Sequence, residues 1–172
     1  KGFEASNRFF EVVKEDDIIG LDYKYKGMLL NKLGQDSLGM IQLKKAASSD
    51  STIAKEVMSE VAKIYMSNKQ YEEAIEAYNY NLKNDSTNLS VADYYELGRA
   101  YFFGPKDYAQ ADIAFAKVAE VTPTYSFAYF WRARSNVQLD LKKETWAAKE
   151  HYEKFIETLS TEDREGAYKP FV

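Results

Sequence analysis

The chain has 172 residues, 45% hydrophobic and 29% charged, with a formal net charge of −4 and no cysteine. That balance is ordinary for a folded globular chain and excludes disulfides, thiolate chemistry and cysteine-ligated zinc. A basic nucleic-acid face is not expected at this charge, and no apolar run reaches the length needed to span a bilayer.

In chain order, apolar residues return every three or four positions, so each predicted element is a helix. Residues 2–14 carry Ala5, Phe9 and Val12 on one face and have the pattern of the second helix of a pair. Residues 21–33 follow with Tyr23, Gly27 and Leu30 inward, Gly34-Gln35-Asp36 turns the chain, and residues 37–47 answer with Gly39, Leu43 and Ala46. The polar stretch 48–52 is expected as a loop whose last residues cap a helix opening at Ile53.

Met58, Val61, Ala62 and Tyr65 make the next stripe, and Tyr71, Ala74, Ile75, Tyr78 and Leu82 the one after it. The polar turn 67–70 between them fits only an antiparallel hairpin. Beyond a loop at 84–90, helices are expected over 91–103 and 108–121, parted by Gly104-Pro105-Lys106-Asp107, where Gly-Pro stops the first. A last pair covers 126–139 and 144–159 about the turn 140–143.

Two ladders tie these elements together. Ala5, Gly39, Ala74, Ala111 and Ala148 recur at intervals of 34, 35, 37 and 37, each followed four residues later by Phe9, Leu43, Tyr78, Phe115 or Tyr152. Gly27, Ala62, Gly98 and Ala133 recur in the first helices at intervals of 35, 36 and 35. A small residue beside a large one lets two helices approach closely while the large side chain fills the gap.

A period near 34 with small residues at these places resembles the tetratricopeptide repeat, a helix-turn-helix unit stacked into arrays. Tyr94, Leu97, Gly98 and Tyr101 match the family's first-helix pattern, Ala111, Phe115 and Val118 the second, and Pro123 the closing proline. Arg132 and Asn136 depart from it, standing where Leu and Tyr are usual. The resemblance implies an all-α, right-handed superhelical solenoid of antiparallel helix pairs. It divides the chain into a truncated repeat at 1–19, repeats at 20–54, 55–90, 91–125 and 126–165, and the start of a further repeat at 166–172. The sequence is accordingly expected to be a piece of a longer protein.

In this family the first helices line a concave groove. Carried over by position, the groove candidates are Lys24, Tyr25, Met28, Lys63, Tyr95, Arg99, Phe130, Trp131 and Arg134, together with Ser59, Glu60, Glu96, Phe102, Phe127 and Gln138. The residue after each small rung reads Met28, Lys63, Arg99, Arg134, a basic row suited to an anionic group such as a peptide carboxylate. Against that, Glu60 and Glu96 lie three residues before Lys63 and Arg99 and form ordinary intrahelical pairs at that spacing. The family's carboxylate clamp also has Asn where Lys63 and Arg99 stand, which argues against recognition of chaperone tails.

Residues 125–131 hold five aromatics, more than one buried helix face absorbs, so some ring is expected to face the groove or a neighbouring repeat. Trp146 is expected as a filler between helices. His151 is the one histidine and is expected to be solvated rather than catalytic. No phosphate loop, Ser-His-Asp set or metal cluster can be assembled, so neither catalysis nor a cofactor or metal is expected.

The function these features imply is a non-catalytic scaffold binding protein or peptide segments in the groove, with self-association through the truncated end repeats. The alternatives are a glycan- or envelope-associated component using exposed aromatics, and a structural spacer within a larger assembly. Similarity of the last repeat to those of bacterial envelope proteins points to the periplasm, with a signal peptide upstream.

Overall fold

The computed structural model describes residues 2–84 and 89–159, which form helices and turns without a strand among them. The helices are α1 (Gly2–Val12), α2 (Gly20–Lys32), α3 (Asp36–Ser49), α4 (Ser51–Ser67), α5 (Tyr71–Asn84), α6 (Val91–Phe103), α7 (Tyr108–Val121), α8 (Ser126–Leu139) and α9 (Ala147–Thr158). The expected all-α class is thus observed. None of the described helices is long and apolar enough to cross a membrane. The chain divides into two compact units, Lys1–Asn88 and Leu89–Val172.

In the first unit α2, α3, α4 and α5 pack in sequence, each on the next, and α1 rests on α2. From α2 to α5 the ladder residues are the contacts. A Cβ on Gly27 would meet Leu43 Cγ at 2.7 Å and the Gly39 carbonyl oxygen at 2.8 Å, so the α2–α3 approach depends on both glycines. Leu43, Ala62, Ala74 and Tyr78 are sealed from solvent. Asn81, also buried, donates through Nδ2 to the Lys55 carbonyl at 3.0 Å and to Ser59 Oγ at 3.1 Å, joining α5 to α4.

In the second unit α6 to α9 pack in the same sequential way. Gly98 sits against the Phe115 ring, which a Cβ would strike at 2.8 Å. Phe102, Ala111 and Phe115 centre a core against which Tyr95, Tyr101, Tyr108 and Trp131 pack. Removing a buried ring such as Phe115 costs about 3–5 kcal/mol. The irregular Arg132 is matched by Asp112 on α7, with bonds of 2.9 and 3.3 Å, and Asn136 Nδ2 donates to the Arg132 carbonyl at 2.9 Å.

Four expectations are corrected. The loop over 48–52 shrinks to Asp50, because the hydroxyls of Ser48 and Ser49 turn back onto the Lys45 and Ala46 carbonyls and let α3 run to its end. Asp50 then caps α4, accepting from the Thr52 N–H at 2.9 Å and its hydroxyl at 2.6 Å. On α1 the packed ring is Phe10, centred 5.6 Å from Tyr23. Ala5 and Val12 face outward there, and Phe9, against Phe10, borders a cleft instead of the core. The last helix begins at Ala147 rather than 144, and Trp146, expected as a filler, is 61% exposed. Residues 160–172, which include the expected further repeat, and most of the 84–90 loop lie outside the described residues.

Each turn inside a helix pair contains a left-handed residue, Gly34, Lys69, Lys106 or Lys143, with φ of 74°, 59°, 57° and 57°, and the last turn adds a second, Trp146, at 56°. That conformation reverses the chain within a few residues. Gln35 N–H then reaches the Leu30 carbonyl at 3.0 Å and Gln70 N–H the Tyr65 carbonyl at 2.9 Å, occupying acceptors at the helix ends.

Candidate functional site

The first-helix faces of the two units hold the residues singled out from sequence, and the units differ. On the first, Lys24 is buried and its Nζ lies 2.7 Å from Glu56 Oε2, so its charge is already compensated. Lys63 Nζ lies 2.9 Å from Glu60 Oε1. Ser59 turns toward Asn81 on α5. Tyr25, 63% exposed, and Met28 stand at a cleft of about 340 Å³ that also takes in Leu29, Leu43, Glu60 and Ile64. Tyr25 and Leu29 are shared with a second cleft of about 260 Å³ toward Phe9 and Phe10 on α1. This face therefore presents an apolar strip and two neutralised lysines.

On the second unit the face is built from α6 and α8. Arg99 Nη1 lies 3.0 and 3.1 Å from the two carboxylate oxygens of Glu96, one turn before it, and is neutralised as the spacing implied. Trp131 Nε1 donates to Tyr95 Oη at 2.9 Å, and its ring stacks on Phe115 at 5.8 Å and 14°. Phe102, Phe103 and Phe130 meet the same indole edge-on, with centroids 5.2–5.5 Å away. Such pairs contribute about 0.5–1.5 kcal/mol each beyond burial. The rings of Phe127 and Phe130 continue the cluster onto Phe155 of α9. Trp131 is therefore an anchored floor and not a free-standing ring.

Arg134 lies on that floor. Its guanidinium carbon is 5.0, 5.1 and 5.7 Å from the ring centres of Trp131, Phe102 and Phe130. No carboxylate among the described residues pairs with it. Ring contacts engage the flat faces of a guanidinium and leave its in-plane N–H donors for a second partner. Tyr125, beside Tyr95 and Glu96, has its hydroxyl pushed above the ordinary range, first by burial and then by Tyr95.

His151 is half-buried on α9 near the Arg132–Asp112 pair, and burial, aided by Arg132, holds its pKa below 6.5. No group of three or more His, Asp or Glu that could hold a metal occurs among the described residues. A surface absent from the sequence reading lies at the far side of α8: a cleft of about 500 Å³ against α9, whose apolar walls include Val137, Leu141, Trp146, Tyr152 and Ile156.

Sequentially packed helix pairs, held by a small-and-large rung that recurs through the chain, define a helical-repeat protein of the tetratricopeptide type. The comparisons with known proteins agree. The chain is similar to the crystal structure of the C-terminal part of a TPR repeat-containing protein from Cytophaga hutchinsonii, with 30% identity and a TM-score of 0.76 over 90% of this chain. It spans 58% of that chain's length. Two structures of MamA are similar in fold at 20% identity. One has a TM-score of 0.69 with 96% of this chain and 92% of that one covered, the other 0.70 with 97% and 86%. No family model and no curated protein matches the sequence.

Proposed function

We propose that the protein is a non-catalytic interaction scaffold that holds peptide segments of partner proteins on its first-helix faces, and that Arg134 receives a carboxylate of the bound segment. The observation that carries this reading is the guanidinium of Arg134, seated on three rings and without an ion-pair partner among the described residues. A cation already held on an aromatic floor loses little side-chain freedom when a carboxylate docks, so its charge-assisted hydrogen bonds convert efficiently into affinity. The repeat architecture supports the same reading, because stacked helix pairs of this kind present extended surfaces used for binding. Lys63 and Arg99, held by their own glutamates, contribute less. The strip at Tyr25 and Met28 supplies apolar contact on the first unit.

The test is capture of peptides from an array by the folded protein, beside Arg134→Glu and Arg99→Glu variants. The expected result is a captured class that shares a carboxylate, lost with Arg134→Glu and retained with Arg99→Glu. Capture insensitive to Arg134 removes this residue from the site.

A further inference from the structure

Within the second unit, α7 and α9 occupy equivalent places, 37 residues apart, so Asp112, Phe115, Ala116 and Ala119 correspond to Lys149, Tyr152, Glu153 and Ile156. On α7 this row is the seat of α8. Trp131 stacks on Phe115, Arg132 pairs with Asp112, and Phe115 is sealed from solvent. On α9 the corresponding row lines the 500 Å³ cleft, with Tyr152 37% and Ile156 50% exposed.

The cleft is a built surface. Asp140 accepts hydrogen bonds from the backbone N–H groups of Glu144, Thr145 and Trp146 at 2.7, 2.9 and 2.8 Å, and from the Thr145 hydroxyl at 2.9 Å. Those bonds hold Lys143 and Trp146 in the left-handed region, a conformation costly for side chains of their size. The result places the Trp146 and Leu141 side chains, 61% and 73% exposed, at the cleft.

We propose that this cleft binds an amphipathic α-helix of a partner protein that repeats the seating of α8 on α7 but with opposite charge: an aromatic side chain on Tyr152, followed by an acidic residue against Lys149. Continuity with the α7–α8 interface specifies the helix and its aromatic. The charge follows from the exchange of Asp112 for Lys149, whose side chain is 72% exposed and, among the described residues, lies 3.8 Å from Glu153, a loose pairing that leaves its ammonium donors for an acidic residue of the helix. An arginine in the helix, as α8 itself carries, would face a lysine here and be rejected.

The probe is a fluorescent peptide of residues 126–139 carrying Arg132→Glu and stapled on its outer face, because an isolated helix of this length is marginal in water. It is titrated against the full chain beside the same peptide with Arg132 unchanged. The acidic peptide is expected to bind at least about fivefold more tightly, and Lys149→Glu, at an exposed site that leaves the fold intact, is expected to reverse the preference. Equal binding of the two peptides, a preference that survives Lys149→Glu, or no binding overturns the proposal. Binding that appears only after residues 160–172 are deleted also overturns it, by showing the cleft filled in cis. A dimer of the protein broken by Ile156→Glu assigns the cleft to a second copy instead.

Discussion

Gly27 and Gly39 meet backbone to backbone: a Cβ built on Gly39 would stand 2.8 Å from the carbonyl oxygen of Gly27 and 3.2 Å from the Asn31 nitrogen. Neither obstacle is a side chain that can swing aside, so α2 and α3 would have to separate. Gly39→Ala is expected to destabilise the protein by about 2 kcal/mol through overpacking. Gly34→Ala, where the added Cβ meets nothing but φ is 74°, should cost about 1 kcal/mol through backbone strain alone. Urea denaturation of the two variants checks the order. A smaller loss at Gly39 than at Gly34 would mean that the α2–α3 contact is looser than this geometry.

The ladder residues were legible in the sequence because small-then-large spacing is itself the packing rule. Ala111 and Phe115 could be named as core from their interval, and they are sealed from solvent. What the interval could not show is rotation or reach. Phe9 and Phe10 are adjacent and both aromatic, and the interval selects Phe9 where the rotation of α1 turns Phe10 onto α2. The pairing of Arg99 with Glu96 was readable at a separation of three residues. The seat of Arg134 was readable only in part, since Trp131 and Phe130 lie one turn before it on α8 while Phe102 comes from α6. The exposure of Trp146 depends on hydrogen bonds to Asp140, which no helical period encodes.

The recurrence of left-handed residues at the turns of the helix pairs points to untapped stability. Lys106 adopts a φ of 57° that glycine takes without strain. Lys106→Gly relieves about 1–2 kcal/mol of steric cost and gives back part of it to the greater freedom of the unfolded chain. A net gain of about 0.5 kcal/mol is expected, seen as a higher urea midpoint with an unchanged slope. Lys69→Gly should behave the same way, and a loss at both positions would show that the lysine stems contribute contacts outweighing the strain.

His151 gives the protein a pH dependence whose sign follows from its surroundings. Burial and then Arg132 hold its folded pKa below 6.5, while Asp112 and Glu150 oppose them without reversing the shift. The unfolded chain therefore takes up the proton first, and stability falls as pH drops through about 6.5, levelling off once the folded protein is protonated as well. Thermal melts between pH 5 and 8 should show this decline, and His151→Gln should flatten it. An unchanged slope in that variant would place the titrating group elsewhere.

Arg134 and lysine would present the same charge to a bound carboxylate, so exchanging them separates charge from geometry. The planar fork of arginine rests its faces on Trp131, Phe102 and Phe130 and keeps two parallel donors for the ligand, whereas an ammonium is a point charge on a freer stem. Arg134→Lys is expected to weaken the captured peptide by about tenfold, close to the effect of Arg134→Ala, because both lose the stacked fork. Phe130→Ala, which leaves the charge and removes one ring from the floor, should weaken it by about threefold, in line with a cation–π contact of about 0.5–1 kcal/mol at a partly exposed site. Fluorescence anisotropy with the captured peptide gives all three numbers, and circular dichroism confirms that each variant is helical. Full retention of affinity in Arg134→Lys would show that the site responds to charge alone and that the aromatic seat serves folding rather than recognition.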